Sequence, residues 1–296
     1  MGLNAQFDCY CLGHLGDPVK FDLHSHSHFS DGILSPEMLV SRAKEREVDV
    51  LALTDHDTIA GLHLAQKAAQ EQGLQLINGI EFSSHWGKGG VHIVGLGIQT
   101  DSAELNSVID SQNQARANRA EQIALRLAKA GITGALEGAQ ALAGNAYVAR
   151  PHFAQYLVDK GVVPNINAAF KKYLGTGKSA DVKYQWPAMI DVIGWIHSAG
   201  GVAVLAHPCK YDLTRTKMCA LIKDFAAAGG DALEVVSGMQ AHPVTEDLAK
   251  IANANNLAAS CGSDFHFPGQ AWQELGCFPS LPNQSRPVWE LLGFAA

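Results

Sequence analysis

The sequence predicts an α/β fold, drawn as a barrel-like sheet of about seven strands with a helical insertion, and two observations carry the prediction. Short apolar, β-branched runs alternate with longer stretches of helical period, the pattern of repeated βα units and a largely parallel sheet. That rhythm breaks over about 101–186, where alanine-rich, charged segments such as AELNSVIDSQNQARANRAEQIALRLAKAG read as helices with no strand between them. The chain, 296 residues long, divides on this reading into an N-terminal extension 1–18, a barrel over 19–100 and 187–296, and a helical insertion or lid over 101–186. An insertion leaving the C-terminal end of a strand would overhang a site at that end.

The elements follow in order. VKFDLH (19–24) opens the sheet, and SPEMLVSRAKERE (35–47) reads as a helix that Ser35 can cap, with Pro36 suited to its first turn. VDVLALTD (48–55) is the second strand, and a helix over 59–72 should stop at Gly73. LQLINGIEFS (74–83) and VHIVGLGI (91–98) are the third and fourth strands. Beyond the insertion, a helix over 187–199 ends at Gly200 and leads to the strand GVAVLAHP (201–208). A helix over 217–228 ends at Gly229, ALEVVSG (232–238) follows, and a helix over 244–255 precedes the last strand, AASCGSD (258–264). No internal repeat or low-complexity tract interrupts them.

Composition narrows the function. Hydrophobic residues make up 47%, as in an ordinary soluble globular protein. The net charge of −7 argues against coating long nucleic acid by phosphate neutralisation, so an anionic substrate should be small or held by a few specific groups. The six cysteines show no CxxC spacing, and reduced, mostly buried thiols are expected. The N-terminus lacks the basic and apolar regions of a signal peptide, Gln6 breaks the myristoylation pattern, and no apolar run approaches the roughly 20 residues of a membrane span. A soluble, cytoplasmic protein is expected.

The chemistry concentrates at the strand ends. In FDLHSHSHFSDG (21–32), His24, His26 and His28 alternate, and alternate residues of an extended chain share a face. Ligand-capable side chains stand at or near the C-terminal ends of six strands: His24 and His26; Asp55, His56 and Asp57; Glu81; His207; Glu234; and Asp264 with His266. His92 is the exception, since it begins its strand. In parallel βα folds these ends lie on one face. Taken singly, Asp55 or Asp57 could cap a helix and Asp264 could end a turn. Burying so many imidazoles and carboxylates together would be costly without cations, which makes a multinuclear metal site the economical explanation.

DLHSHSHFSDG, LALTDHDTIAGL, GIEFS, VHIVGL, LAHP and GSDFH, in this order, resemble the successive motifs of the PHP (polymerase and histidinol phosphatase) metallohydrolases over about 19–290. The resemblance implies a distorted seven-stranded (βα) TIM-like barrel. RPHFAQYLV, KKYLGTGK, GWI and AHP are most similar to the subgroup that hydrolyses 3′,5′-nucleoside bisphosphates and trims short RNA from the 5′ end. It further implies that His24, His26, Glu81 and Asp264 surround one metal and that Asp31, His56 and His266 hold a second. Glu81 would bridge to a third site with His92 and His207, unless these two bind substrate phosphate directly; His28 falls at a variable position. Two or three manganese ions are what the family suggests, although nitrogen and oxygen ligands alone admit zinc or iron. The implied reaction is in-line attack by an activated water on a phosphomonoester, with no covalent enzyme intermediate and with Asp264, His207 and Arg150 as catalytic groups.

Substrate charge needs an answering cation. Arg150 in RPH resembles a phosphate-binding position of that subgroup, and its planar fork suits bidentate phosphate contacts. His207 and His152 are further substrate-binding candidates, followed by Lys178, Lys183 and Arg215. GTGKS at 175–179 is not a P-loop, because Lys172 stands where that motif needs glycine and no strand leads into it. Trp186, Trp195 and Trp272 read as core or insertion packing, while Phe153, Tyr156 or Trp186 could offer a base-stacking platform. The leading expectation is a metal-dependent 3′-phosphatase of nucleoside 3′,5′-bisphosphates that also trims short RNA, with no membrane or long duplex DNA as partner. A phosphatase for another small ester such as histidinol phosphate, and a non-catalytic metal-binding module, are the alternatives.

Overall fold

The computed structural model describes residues 19–144, 146–182 and 186–294. Seven strands lie side by side in chain order: β1 (Phe21–Asp22), β2 (Val50–Leu53), β3 (Gln75–Trp86), β4 (Gly89–Leu96), β5 (Val202–Leu205), β6 (Ala232–Ser237) and β7 (Ala258–Gly262). The first and last strands meet, since Leu23 N donates to Cys261 O at 3.0 Å and Asp264 N to His24 O at 2.9 Å, with Ser25 bridging Phe265. The sheet is therefore a nearly closed barrel. β1 is shorter than its sequence suggests because side chains replace its ladder. Ser25 Oγ donates to Ala52 O at 2.7 Å, and Thr54 Oγ1 both accepts from Ser25 N and donates to Ser25 O at 3.1 Å.

The expectation of parallel neighbours fails at β4, which runs antiparallel to both β3 and β5. The two-residue turn Gly87–Lys88 between β3 and β4 forces the reversal, with Gly87 at φ +56° in the left-handed region. This explains the exceptional position of His92. The start of a reversed strand lies at the same barrel end as the finish of its parallel neighbours, and His92 pairs in register with Ser83, two residues beyond Glu81.

Helices α1 (Pro36–Glu45), α2 (Leu62–Gln72) and α3 (Ala103–Lys129) come next in chain order. Ser35 caps α1 by accepting from Met38 N at 3.2 Å, and Gly73 ends α2 at φ +64°. Because β4 is reversed, the chain leaves it at the end opposite the site, so the insertion does not start where the sequence-based picture put it. Instead α3, roughly 40 Å long for its 27 residues, travels back along the barrel. Its first turns bury Leu105 and Ile109 in the barrel core, and its last turns bury Ala120, Ile123 and Leu127 in a separate apolar cluster within 120–182. That cluster also packs α4 (Ala135–Ala143), α5 (Arg150–Asp159) and the short α6 (Ile166–Ala169), which runs into a π turn over Phe170–Leu174.

The chain returns through Pro187, whose carbonyl accepts from His85 N at 3.0 Å. α7 (Met189–Ser198) then packs on β3 to β5, α9 (His242–Ala254) on β6 and β7, and α8 (Arg215–Ala227) beside α9. Of the described cysteines, Cys261 is buried, Cys219 and Cys277 are half-buried and Cys209 is exposed, so among these the expectation of mostly buried thiols is not met. No described helix is long and apolar enough to cross a membrane.

Candidate metal centre

The alternation in the histidine run sends His24 and His26 to the barrel axis. His24 Nε2 lies 3.2 Å from Glu81 Oε2 and 3.5 Å from Asp264 Oδ1, and His26 Nε2 lies 3.2 and 3.3 Å from the same two atoms. His28 turns away to the carbonyl of Leu34. Asp31 follows in a loop that doubles back so closely that a Cβ at Gly32 would sit 2.4 Å from His26 O. Asp31 Oδ1 stands 3.3 Å from His266 Nε2 and 3.7 Å from His56 Nε2. On the other side of Glu81, Oε1 lies 2.9 Å from His92 Nδ1 and 3.0 Å from His207 Nε2. His207 and Asp264 hold backbone φ values of +26° and +53°, a region non-glycine residues occupy only where their surroundings fix them.

Six buried atoms of this cluster have no hydrogen-bond partner: His24 Nε2, His26 Nε2, Asp31 Oδ1, His56 Nδ1, Glu81 Oε2 and His207 Nδ1. Imidazole nitrogens and carboxylate oxygens that converge in this way form a donor set that fits cations. The groups His24, His26 and Asp264; His26, Asp31, His56 and His266; His24, Glu81 and His207; and His56, Glu81 and His92 each bring ligand atoms within 4.8 Å of one another. The mixed nitrogen and oxygen set suits divalent first-row metals.

Electrostatics agree. Burial alone would raise Glu81 and Asp264, yet the surrounding imidazoles, with Lys210 beside Asp264, hold both carboxyls well below their ordinary range. Burial would lower His26, but the Asp264 and Glu81 carboxylates raise it to about 10, and Glu234, Glu81 and Asp264 likewise hold His24 well above its ordinary value. Burial dominates at His56 and pushes it down to about 3. The carboxylates thus favour positive charge at His24 and His26, the same charge that divalent cations would bring to this site.

A layer of contacts fixes the ligands. Both oxygens of Glu234 lie 3.2 Å from His24 Nδ1, and Oε2 accepts from His207 N at 2.6 Å. Asp55 caps no helix; it accepts from Ser27 N at 2.7 Å and from Ser27 Oγ and Ser30 Oγ at 2.6 Å, locking the loop between His26 and Asp31. Asp57 accepts from Ser83 N at 2.8 Å, Gln112 Nε2 at 3.1 Å and Arg116 Nε at 2.6 Å, which ties α3 to β3.

Three arginines of the helices lie near one another, and one of them reaches the Asp31–His56 side. Arg116 lines a cleft with Asp31, His56 and Tyr147. The guanidiniums of Arg116 and Arg119 stand 5.4 and 5.6 Å from the Trp186 ring centre. Arg119 Nε is buried without a partner, and burial with the Arg150 and Arg116 charges pulls this group down to about 10. Arg150, at the start of α5, lies over the Phe170 ring at 5.9 Å; burial lowers it, and Asp181 opposes the shift. Arg116, Arg119 and Lys210 were not among the sequence candidates. The first two stand three residues apart in ARANRA on α3, a same-face spacing that was the available signal.

His152 accepts from Ala149 N at 2.9 Å through Nδ1 and feels the Asp31 charge. Lys178 is exposed and lines neither pocket described here, and Arg215 is spent on Asp247 at 2.7 and 2.9 Å on the surface. Lys183 lies outside the described residues. Phe153 and Tyr156 are buried in the helical core, with Tyr156 OH donating to Thr133 O at 2.8 Å, so neither is free to stack on a base. Trp195 packs edge-on against Phe82, but Trp272, read from sequence as packing, is 57% exposed.

The PHP domain model matches residues 22–175. A 5′-3′ exoribonuclease of Haemophilus influenzae is 47% identical over 271 residues, covering 92% of this chain and 98% of the relative. A 3′,5′-nucleoside bisphosphate phosphatase of Chromobacterium violaceum is 44% identical over 275 residues, covering 93% and 96%. Among solved structures, an amidohydrolase from Chromobacterium violaceum with bound sulfate superposes with a TM-score of 0.87 at 43% identity, covering 93% of this chain and 96% of that one.

Proposed function

This chain belongs to the PHP domain family and is a metal-dependent hydrolase of phosphoric esters, and from that premise we propose that it removes the 3′-phosphate of nucleoside 3′,5′-bisphosphates and trims short RNA from the 5′ end. The observation that supports this reading is a cation at the edge of the imidazole and carboxylate cluster: Arg116 shares a cleft with Asp31 and His56, and the charges of Arg119 and Arg150 gather behind it. A substrate with two phosphates on one ribose matches both halves.

Divalent cations, with manganese the first to test and zinc or iron as alternatives, would polarise the phosphoryl group, lower the pKa of a water and neutralise the leaving oxygen. In this reading His24, His26, Glu81 and Asp264 hold one cation, and Asp31, His56 and His266 a second. His92 and His207 either complete a third site with Glu81 or contact phosphate oxygens themselves. Arg150 and Arg119 take the 5′-phosphate through planar donors that cost little to orient, because the protein already holds them desolvated. His152 closes the gap between α5 and Asp31. Work on small nucleotides in the cytoplasm is the setting this implies.

The test is product release by manganese-loaded protein offered adenosine 3′,5′-bisphosphate, 3′-AMP, 5′-AMP, histidinol phosphate and a short 5′-phosphorylated RNA. Preference for the bisphosphate over 3′-AMP, with 5′-AMP as product, is expected. Equal use of 3′-AMP would remove the arginines from recognition, and preference for histidinol phosphate would overturn the substrate class.

A further inference from the structure

A groove of about 490 Å³ opens against a different side of the cluster, where His207, Asp264 and His266 form part of its wall. It shares no lining residue with the arginine-side cleft. Its remaining walls include Lys210, Ser237, Met239, Phe267 and Trp272. Met239, Phe267 and Trp272 are 52%, 40% and 57% exposed, a concentration of large apolar side chains that a soluble surface rarely presents without use.

The backbone at Met239 and Trp272 is nevertheless fixed. Met239 N donates to Trp272 O at 2.8 Å, and Gly238, at φ +58°, approaches that carbonyl so closely that a Cβ would lie 2.4 Å from it. Gln273 Nε2 donates to Asp264 O at 2.9 Å, so the turn bearing Trp272 is bolted to the strand end bearing Asp264. Lys210 adds a cation, paired with Asp264. Ser237 Oγ is out of solvent and without a partner.

We propose that this groove is a subsite for the second nucleotide of an RNA chain, whose base stacks on Trp272 and Phe267 while Lys210 faces its backbone. The inference rests on the phosphoesterase reading above. In that reaction a water oxygen bonds to phosphorus, the P–O3′ bond breaks, and the 3′-oxygen leaves with a proton that originates from the water. With a nucleoside bisphosphate, the departing phosphoryl group becomes inorganic phosphate. With RNA, the same group still carries the second nucleotide through its 5′-oxygen and becomes the 5′-phosphate of the shortened chain. The first nucleotide's 5′-phosphate belongs with the arginines, so the second nucleotide must continue past the scissile phosphate, toward the groove that the cluster shares on its other side. Bisphosphates leave that groove empty; RNA fills it. Aromatic stacking accepts every base, so the subsite confers chain binding without sequence preference.

The experiment compares wild type with Trp272→Ala, Phe267→Ala and Trp272→Phe. For a short 5′-phosphorylated RNA, kcat/KM is expected to fall on the order of ten- to a hundred-fold in the two alanine variants and to be largely retained in Trp272→Phe, which keeps a stacking face. For adenosine 3′,5′-bisphosphate, all three should stay within about two-fold of wild type. In parallel, the same RNA added to metal-free protein should quench tryptophan fluorescence, and Trp272→Ala should lose most of that quench. Equal losses on both substrates would overturn the proposal by assigning the groove to the bisphosphate itself, and unchanged RNA hydrolysis would overturn it outright. If wild type cleaves neither substrate, the phosphoesterase reading of these substrates fails, while the quench in metal-free protein still decides whether the groove holds RNA.

Discussion

The barrel mouth and the helices beside it bury charge in opposite ways. At the mouth, Glu81, Asp264 and Asp31 are surrounded by imidazoles, and the carboxylates raise two of these, His24 and His26, against the effect of burial. On the helices, Arg119 and Arg150 are desolvated beside other guanidiniums, with Asp181 as the acidic group near them. In the proposed function the first region takes up cations and the second accepts an anion. Removing a charge should therefore harm the mouth and relieve the helices, a difference that substitutions can break or sharpen.

The largest effect is expected at Glu81, which lies within 3.2 Å of His24, His26, His56, His92 and His207. Glu81→Gln should lose more turnover than the roughly 10–100-fold that losing a residue behind a metal ligand costs, and should abolish the rise in thermal midpoint on adding manganese. Glu234→Gln, which touches His24 and His207 from behind, should fall inside that range and keep the midpoint shift. Metal content and thermal midpoints measured on both variants check this. Wild-type metal content in Glu81→Gln would dissolve the proposed centre.

A smaller effect of mixed sign is expected at Arg119. Its Nε has no partner and two like charges crowd it, so Arg119→Met should stabilise the ligand-free protein by about 1 kcal/mol while weakening bisphosphate use about ten-fold. Denaturant unfolding and KM for the bisphosphate give the two readings. A destabilised variant with unchanged KM would show that Arg119 serves the fold instead.

The same contrast explains what the sequence disclosed. The strands and the histidine run were legible because alternation is local: His24 and His26 share a face through the geometry of their own backbone. The antiparallel β4 was written in the short Gly87–Lys88 turn, but βα rhythm elsewhere masked it, and His92 looked misplaced as a result. The arginines were less legible because their setting is tertiary. Arg116 and Arg119 sit on a long helix that serves two cores, and only the reversal of β4 brings its middle back to Asp57. Trp272 was misread for a related reason. Nothing local distinguishes a packed tryptophan from one whose backbone is bolted at Met239 and Gln273 while its ring stays exposed.

The smallest predicted effect falls at His152, where the two regions meet. Burial holds its pKa below the ordinary 6.5, and the Asp31 charge only partly offsets this. The unfolded chain then binds more protons than the folded one between the folded value and 6.5, so this residue's contribution to stability falls as pH drops below about 6.5. His152→Asn keeps an acceptor for Ala149 N and removes the titration. Metal-free wild type should therefore lose more stability than the variant on acidification. Unfolding curves across that pH range decide the matter. Parallel losses would remove His152 from the balance, whereas a variant that loses more than wild type would mean that Asp31 holds His152 as an imidazolium and that the residue belongs with the cation-seeking mouth.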